Sequence, residues 1–272
     1  MKDSSLSTWL YQNRCFLTKD SKSEITHICL DGGRLNIPNH LISDFAEIYS
    51  KGLTNNEKYY ICENIKSEDT IRMYCDLDFI HDEEVTINQM KEYSKLLNEN
   101  IAKFFGNYFQ FTVCKTTSKP VQKNKKKQIK SGFHIIWKDL FVKPSVAIDI
   151  ATQFQYSLNN KYPDTDWKNI VDIQVYNNGL RMIGSRKVVN KKRKIKNLST
   201  VSENSVPLQA KDYELIKVDE NRAYRPIFKI TNDNELIDFD TIIDFNCLGK
   251  ETIKKLILET IIRTFNNEQE ND

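Results

Sequence analysis

The sequence predicts an α+β fold in which helices pack on a mostly antiparallel sheet. Three short apolar segments bounded by polar residues have the pattern of buried strands, at 71–79, 109–116 and 132–137. Three longer segments repeat apolar residues every three or four positions, as amphipathic helices do, at 86–108, 144–162 and 252–265. Because the strands and helices do not alternate strictly, the helices are expected to cover an antiparallel sheet.

Turn signals predict how the first half of the chain is connected. Residues up to about Lys66 mix short apolar pieces with a turn at Asp31-Gly32-Gly33, which indicates an N-terminal α/β unit. The strand at 109–116 runs into a lysine-rich segment, and 132–137 forms the other arm of a hairpin. We expect the lysine-rich segment between them to be a loop with a charged, mobile tip.

A second hairpin is predicted in the middle of the chain. Asn178-Gly179 is a strong turn signal, and it separates two apolar segments read as strands, 171–177 and 180–187. No repeat and no Pro/Gly/Ser-rich linker interrupts the chain. We therefore expect one domain over residues 1–272, with an N-terminal α/β part, a core, and a last helix with a polar tail, at about 1–70, about 71–250 and 251–272.

Composition excludes several classes of protein. With 39% hydrophobic residues the chain can bury a substantial core. No stretch approaches the roughly twenty apolar residues of a membrane span, and the first residues lack the apolar core of a signal peptide. Six separated cysteines without a C-x-x-C pair argue against a disulfide framework. These features predict an intracellular protein with free thiols and no membrane association.

Positive charge is concentrated in two runs although the net charge is only +3. Residues 115–130 and residues 186–196 each carry seven cations and no acid. Such runs attract a phosphate backbone through counterion release, although a solvated loop is the alternative reading. The nucleic-acid-binding residues predicted on this basis are Lys123, Lys125, Lys126, Lys127, Lys191, Lys192, Arg193 and Lys194.

Asp76 and Asp78 are the first candidates for chemistry. Side chains alternate along a strand, so both carboxylates project from the same face of the apolar segment 71–79. Two adjacent carboxylates repel each other unless a divalent cation holds both in the charged form. The other D-x-D pairs, at 164–166 and 238–240, lie in polar stretches where turns, caps or exposure explain them. A structural ion pair is the alternative for Asp76 and Asp78.

Asp172 lies in another apolar segment and completes a three-carboxylate cluster if the two segments are neighbours. Such a cluster suits two Mg²⁺ or Mn²⁺ ions, which activate an attacking 3′-hydroxyl and steady a leaving pyrophosphate. His134 interrupts an apolar run, where a hydrogen-bonded core histidine is the alternative. Further candidates for binding a triphosphate are the cations and hydroxyl of Lys130, Arg181, Lys187 and Ser185.

Three segments, RMYCDLDF, KSGFHIIW and VDIQVYNNGLRMIGSRK, resemble in order and spacing the three motifs of archaeo-eukaryotic primases. The resemblance covers roughly residues 25 to 190. It is greatest to the primase module at the N-terminus of poxvirus-type primase-helicases of large nucleocytoplasmic DNA viruses, and more distant to eukaryotic PrimPol. It implies a two-lobed fold, with an N-terminal α/β unit and an RRM-like module, and the acids at the cleft between them.

The resemblance also implies roles for individual residues. Asp76, Asp78 and Asp172 match the catalytic metal ligands, and His134 matches the histidine that contacts the phosphates of the incoming nucleotide. Lys130, Arg181 and Lys187 fit the triphosphate-binding cations. One departure is that Gly132 stands where the second motif has serine. Ser131 next to it, or a backbone N–H, is the expected replacement.

The expected function is therefore a DNA primase or primase-polymerase that makes short primers on single-stranded DNA from nucleoside triphosphates, with Mg²⁺ or Mn²⁺. Members of this viral type continue into a helicase, so a helicase domain or partner is expected, and a viral protein would act in the host cytoplasm or nucleus. The chain has no G-x-x-x-x-G-K-[ST] phosphate loop of its own. Two alternatives stay open: an inactive nucleic-acid-binding module that loads a helicase, and a related nucleotidyltransferase or nuclease.

Overall fold

The computed structural model describes residues 4–123, 126–187, 222–232, 235–239 and 245–263. Within these ranges helices and antiparallel sheets are combined, which confirms the predicted α+β class. None of the described helices combines the length and the apolar character that crossing a membrane requires.

The N-terminal part is an α/β unit, as predicted. Its three strands pair antiparallel in the order β2-β1-β3. The predicted turn at residues 31–33 joins β1 to β2, and Gly32 there has a φ of 117°, which favours glycine. The elements in chain order are α1 (Ser5–Gln12), β1 (His27–Cys29), β2 (Arg34–Leu35), a 3₁₀ turn (Asn39–Leu41), α2 (Ile42–Thr54) and β3 (Ile61–Glu63).

The main sheet has six strands, and all their pairings are antiparallel. The order is β4-β7-β5-β8-β9, and β6 pairs with the outer part of β7. The long β7 therefore lies between β4 on one side and β5 with β6 on the other. The strands are β4 (Ile71–His81), β5 (Phe111–Lys115), β6 (Lys119–Lys123), β7 (Lys126–Val142), β8 (Arg225–Ile230) and β9 (Leu236–Asp238).

Two long helices, α3 (Ile87–Phe105) and α4 (Pro144–Lys161), cover one face of this sheet. Helix α3 begins at a capping box in which the Thr86 hydroxyl accepts from the Gln89 backbone and the Gln89 side chain accepts from the Thr86 backbone. Pro144 occupies the first turn of α4. Both predicted helices are confirmed, and their apolar sides join Leu77 and Phe79 of β4 in one core cluster.

A second core cluster lies against the opposite face of the sheet. It combines apolar side chains of α1, α2 and the N-terminal sheet with those of the last helix, α7 (Lys250–Thr260). Cys114 of β5 and Tyr224, just before β8, also belong to it. Helix α7 is shorter than the predicted helix at 252–265, because residues 261–263 run in an extended course beside the start of β4.

Two connections differ from the sequence-based expectation. Part of the lysine-rich segment forms strand β6 and the start of β7, a two-stranded ribbon, where a loop was expected; residues 124–125, where its predicted mobile tip lies, are outside the described residues. The prediction of a hairpin around Asn178-Gly179 is wrong. That region contains two short helices, α5 (Trp167–Ile170) and α6 (Val175–Asn178), and only isolated bridges at residues 171, 181 and 185.

Packing explains why the hairpin signal fails. Gly179 has a φ of 85°, and a Cβ atom there would lie 1.8 Å from the Glu63 carbonyl oxygen. The glycine is therefore required by a close approach to β3 and not by a turn between strands. The hydroxyl of Tyr176, a fully buried residue of α6, donates to the Tyr74 carbonyl and fixes this helix against β4.

Glu63 connects the two sheets. Its carboxylate is buried and accepts hydrogen bonds from the backbone N–H groups of Ile262, at 2.9 Å, and Arg263, at 3.1 Å. Burial raises the pKa of Glu63 to about 7, and the two N–H groups and neighbouring arginines oppose this rise. The carboxylate therefore holds the extended C-terminal segment against the edge formed by β3 and β4.

We predict that Glu63→Ala lowers the free energy of unfolding by about 3 kcal/mol, because two buried N–H groups lose their acceptor. Urea unfolding followed by circular dichroism measures the change. Glu68→Ala, at an exposed glutamate that accepts a hydrogen bond from the Ser67 hydroxyl, is the matched control. Equal stability of the two variants would contradict the assigned role of Glu63.

His27 predicts a dependence of stability on acid. It is fully buried, and burial together with the charge of Arg263 lowers its pKa to about 3 from its ordinary value near 6.5. The unfolded chain thus binds a proton that the folded chain excludes, so stability from this group is complete above pH 6.5 and is lost as pH falls toward 3. The limiting slope is about 1.4 kcal/mol per pH unit.

We therefore expect the unfolding free energy of the wild type to fall more steeply between pH 6 and pH 4 than that of His27→Phe. The phenylalanine preserves the contact that the imidazole makes with Phe45. Urea titrations at several pH values provide the comparison, with His40→Gln, at an exposed histidine, as the control. Parallel curves for wild type and His27→Phe would refute the assignment.

Candidate active site

The aspartates of β4 lie directly opposite residues of β7. In the antiparallel register Asp76 pairs with His134 and Asp78 pairs with Gly132. Directly paired residues project from the same face of a sheet, with Cβ atoms about 5 Å apart. Both carboxylates and the imidazole therefore lie on the face opposite helices α3 and α4, in agreement with the alternation expected from the sequence.

Asp172 joins this group from the other side of β4. An antiparallel bridge pairs Leu77 with Val171, which places Asp172 beside Asp76, and the Asp172 N–H donates to the Asp76 carbonyl at 2.9 Å. The Asp172 carboxylate accepts from the N–H of Gln174 at 2.8 Å. The structure thus brings together the three aspartates singled out from the sequence, although Asp172 lies in a single bridge and not in a strand.

Asp76 is the most constrained of the three. Its side chain is 14% exposed, and burial raises its pKa to about 8, an effect to which the negative charges of Asp78 and Asp172 add. Its Oδ1 atom is buried without a hydrogen-bond donor among the described residues. Such an atom is costly in a folded protein and is a feature of sites that receive a ligand.

His134 lies beside this carboxylate, with Nε2 3.6 Å from Asp76 Oδ1. Burial, and to a smaller extent the charge of Arg181, holds the pKa of His134 well below its ordinary value. The imidazole is therefore neutral at pH 7, with one donor and one acceptor nitrogen. Its Nδ1 atom also has no hydrogen-bond partner among the described residues.

Three predicted cations converge on the same face. The Lys130 amine lies 2.6 Å from Asp78 Oδ2. The pKa of Lys187 is lowered by burial and by the neighbouring charges of Arg181, Lys130 and Arg222, while Asp78 opposes this shift. Mutual repulsion of clustered cations is relieved by an anion, so the cluster is suited to binding phosphate groups.

Two predicted hydroxyls point elsewhere. Ser131 pairs with Phe79 and is bonded to the Ser118 hydroxyl at 2.9 Å, on the helix-covered face of the sheet. Ser185 is buried and accepts the N–H of Ile61 in β3. The positions of Ser131 and Ser185 therefore do not support the phosphate contacts expected of them.

Sequence reasoning missed two residues that the structure places at the site. The ring of Tyr224 stacks on the His134 imidazole with 3.4 Å between centroids. Arg222 is buried, and its carbonyl accepts from the Arg181 guanidinium at 3.1 Å. No local motif marks either residue, because both lie more than forty positions after Arg181 and reach the site only through the pairing of β8 with β5.

The chemistry of the site fits divalent cations in part. Carboxylate oxygens are the ligands that Mg²⁺ and Mn²⁺ prefer, and the unpartnered Asp76 oxygen is available. In the part of the chain that the structure describes, however, no three His, Cys, Asp or Glu side chains are already arranged as a metal-binding group. The Asp78 carboxylate contacts the Lys130 amine, and the Asp172 carboxylate accepts from the backbone N–H of Gln174.

The two basic runs are only partly described. Lys126 and Lys127 are exposed residues of the ribbon. The backbone of Lys123 lies in β6, but its side chain is outside the described part of the structure. Also outside the described residues are Lys125, Lys191, Lys192, Arg193 and Lys194.

Comparison with known proteins identifies the family of the chain. The family model of the C962R protein N-terminal AEP domain, where AEP denotes archaeo-eukaryotic primase, matches residues 26–200, more than half of the chain. The chain belongs to this AEP family. The predicted relationship to the primase domain of viral primase-helicases is thereby confirmed. No curated protein matches the chain. Asp76, Asp78, His134 and Asp172 all lie inside the AEP match, whereas Arg222 and Tyr224 lie beyond it.

Proposed function

We propose that this AEP domain is a DNA primase or primase-polymerase that makes short primers on single-stranded DNA by nucleotidyl transfer. The observation that carries the proposal is the convergence of Asp76, Asp78 and Asp172 with a neutral His134 on one face of the sheet. Three segments distant along the chain form this group. Its acids suit the divalent metal that accompanies a nucleoside triphosphate, and the neighbouring cations suit the phosphate oxygens.

Each group has a distinct role in this proposal. Asp76, Asp78 and Asp172 would hold two Mg²⁺ or Mn²⁺ ions, which would supply charge neutralisation at the 3′-hydroxyl and at the leaving pyrophosphate. His134, neutral beside them, donates one N–H to a phosphate oxygen. Lys130, Arg181 and Lys187 attract the triphosphate electrostatically.

The larger context of the domain follows from the same proposal. In this proposal residues 1–272 form one catalytic domain with the two lobes of the AEP fold, an N-terminal α/β unit and an RRM-like module, and the presence of two core clusters supports it. The domain acts with a helicase, as part of the same chain or as a partner, at an intracellular site of viral DNA replication. The match to the N-terminal domain of the C962R protein supports the helicase partnership.

We expect Asp76→Ala with Asp78→Ala to reduce incorporation of labelled nucleotides on a single-stranded template by about a thousandfold or more, because the metal ligands are lost. The matched control is Asp164→Ala with Asp166→Ala, which removes the same pattern from a surface turn. Mn²⁺ should also raise the melting temperature of the wild type and of the control, but not that of the first variant.

The outcomes separate the competing functions. Full product from the Asp76/Asp78 variant would exclude the proposed active site. Metal-independent DNA binding by the wild type without incorporation would indicate a module that only loads a helicase. Degradation of the template without extension would indicate a nuclease.

The ribbon formed by β6 and the start of β7 has two faces, and only one of them is continuous with the candidate active site. Side chains alternate along β7, so Lys126 and Lys130 share the face of Gly132 and His134, whereas Lys127 projects from the other face. Lys126 lies about 20 Å from Gly132 along the strand, which is the length of about six nucleotides of a stacked strand. The template is therefore expected to follow the Lys126 side of the ribbon.

We predict that Lys126→Ala weakens binding of a twelve-nucleotide single strand more than Lys127→Ala does, although each variant removes one charge. The slope of log K against log salt should decrease by about 0.7 for Lys126→Ala, since one phosphate contact is lost, and should stay constant for Lys127→Ala. Fluorescence anisotropy at several salt concentrations measures both. Equal losses in the two variants would contradict a face-specific contact.

A further inference from the structure

Tyr224 contacts two residues of the proposed nucleotide site with one aromatic ring. The ring stacks on His134 with 3.4 Å between centroids and 26° between planes. The guanidinium carbon of Arg181 lies 4.7 Å from the centre of the same ring, within the range of a cation–π contact. Tyr224 is 3% exposed, so these contacts are made in a buried environment where they restrict both partners.

The hydroxyl of Tyr224 lies where the site lacks a side chain. A Cβ atom added at Gly132 would be 3.2 Å from the Tyr224 hydroxyl, 3.2 Å from the Thr116 hydroxyl and 3.3 Å from Asp78 Oδ1. The absence of a side chain at Gly132 thus leaves room for the tyrosine hydroxyl between the strand and the Asp78 carboxylate. The Thr116 hydroxyl is directed to the Gly132 carbonyl.

The Tyr224 hydroxyl is available as a hydrogen-bond donor. No hydrogen bond joins it to another described residue; His134 and Arg181 contact its ring, and Asp78 Oδ1 lies on the far side of the open position at Gly132. A phenolic hydroxyl carries its proton at neutral pH and can therefore donate it. A protonated hydroxyl among carboxylates and cations is suited to an anionic ligand with several acceptor oxygens.

We propose that Tyr224 is a further nucleotide-binding residue, whose hydroxyl donates to a phosphate oxygen of the nucleoside triphosphate while its ring positions His134 and Arg181. This inference rests on the proposed function. It adds to the site a residue that lies outside the part of the chain matched by the AEP family. The hydroxyl and the ring have separable effects, because Tyr224→Phe removes only the first.

The test measures binding of ATP and of dATP, each with Mn²⁺, by isothermal titration calorimetry. Tyr224→Phe should weaken binding of the preferred nucleotide about tenfold or more, because one hydrogen bond to a charged group is lost. Tyr224→Leu, which also removes the stack, should weaken it further. Tyr108→Phe loses a hydroxyl from an exposed tyrosine at the helix-covered face and should bind as the wild type does.

A second pair of variants tests the position of the hydroxyl. Gly132→Ser places a new hydroxyl next to that of Tyr224 and should be crowded by the three atoms near the added Cβ. Combined with Tyr224→Phe, which removes one of those atoms, the serine should restore most of the lost affinity. Such reciprocal rescue would not occur if Tyr224 served only as a buried core residue.

The results distinguish this inference from the function on which it rests. A wild type that binds neither nucleotide overturns both. A wild type that binds while Tyr224→Phe binds equally well overturns the role of the hydroxyl and leaves the proposed function intact. A loss in Tyr224→Phe that Gly132→Ser does not restore overturns the inferred position of the contact.

Discussion

The antiparallel pairing of β4 with β7 is the constraint on which the candidate site depends. Its register sets Asp76 opposite His134 and Asp78 opposite Gly132. Because side chains alternate along a strand, a shift of one residue would turn both aspartates toward the core beneath α3. That core opposes the shift, since Leu77 and Phe79 would then leave it. Burial of apolar side chains on one face therefore fixes the position of charged groups on the other.

The same arrangement places unfavourable charge in a buried position. Asp76 is desolvated, lies near two other carboxylates and leaves one oxygen without a donor. Each of these features costs free energy in the absence of a ligand. Two extensive core clusters, one on each face of the sheet, can offset that cost. A site assembled from strand residues is also more rigid than one assembled from loops, so the carboxylates cannot move far apart to relieve their repulsion.

The parts of the fold that could be predicted are those with strong local signals. The repeat of apolar residues predicted α3 and α4, and the alternation of side chains along a strand predicted that Asp76 and Asp78 share one face. Ser131 and His134 are three positions apart on one strand, so the same alternation places them on opposite faces of the sheet. The Asn178-Gly179 signal failed because a long-range contact with β3 decides the conformation of that glycine.

Long-range pairing also explains why the site could be predicted only in part. Asp172 could be proposed as a member because its segment is apolar, but its place beside Asp76 depends on one bridge between residues almost a hundred positions apart. Tyr224 and Arg222 have no such local mark. Their contacts depend on the order of strands in the sheet, in which β8 pairs with β5.

Gly132 is a local feature of the sequence that indicates contacts with residues distant along the chain. A glycine inside a strand loses conformational entropy and packing, so its presence there indicates a close approach by another group. Here the approaching groups are Asp78 Oδ1, the Thr116 hydroxyl and the Tyr224 hydroxyl. They come from three other segments of the chain and meet at one point on β7. The residue without a side chain thus marks a place where Asp78 of the first motif and a tyrosine from outside the family match both approach the same strand.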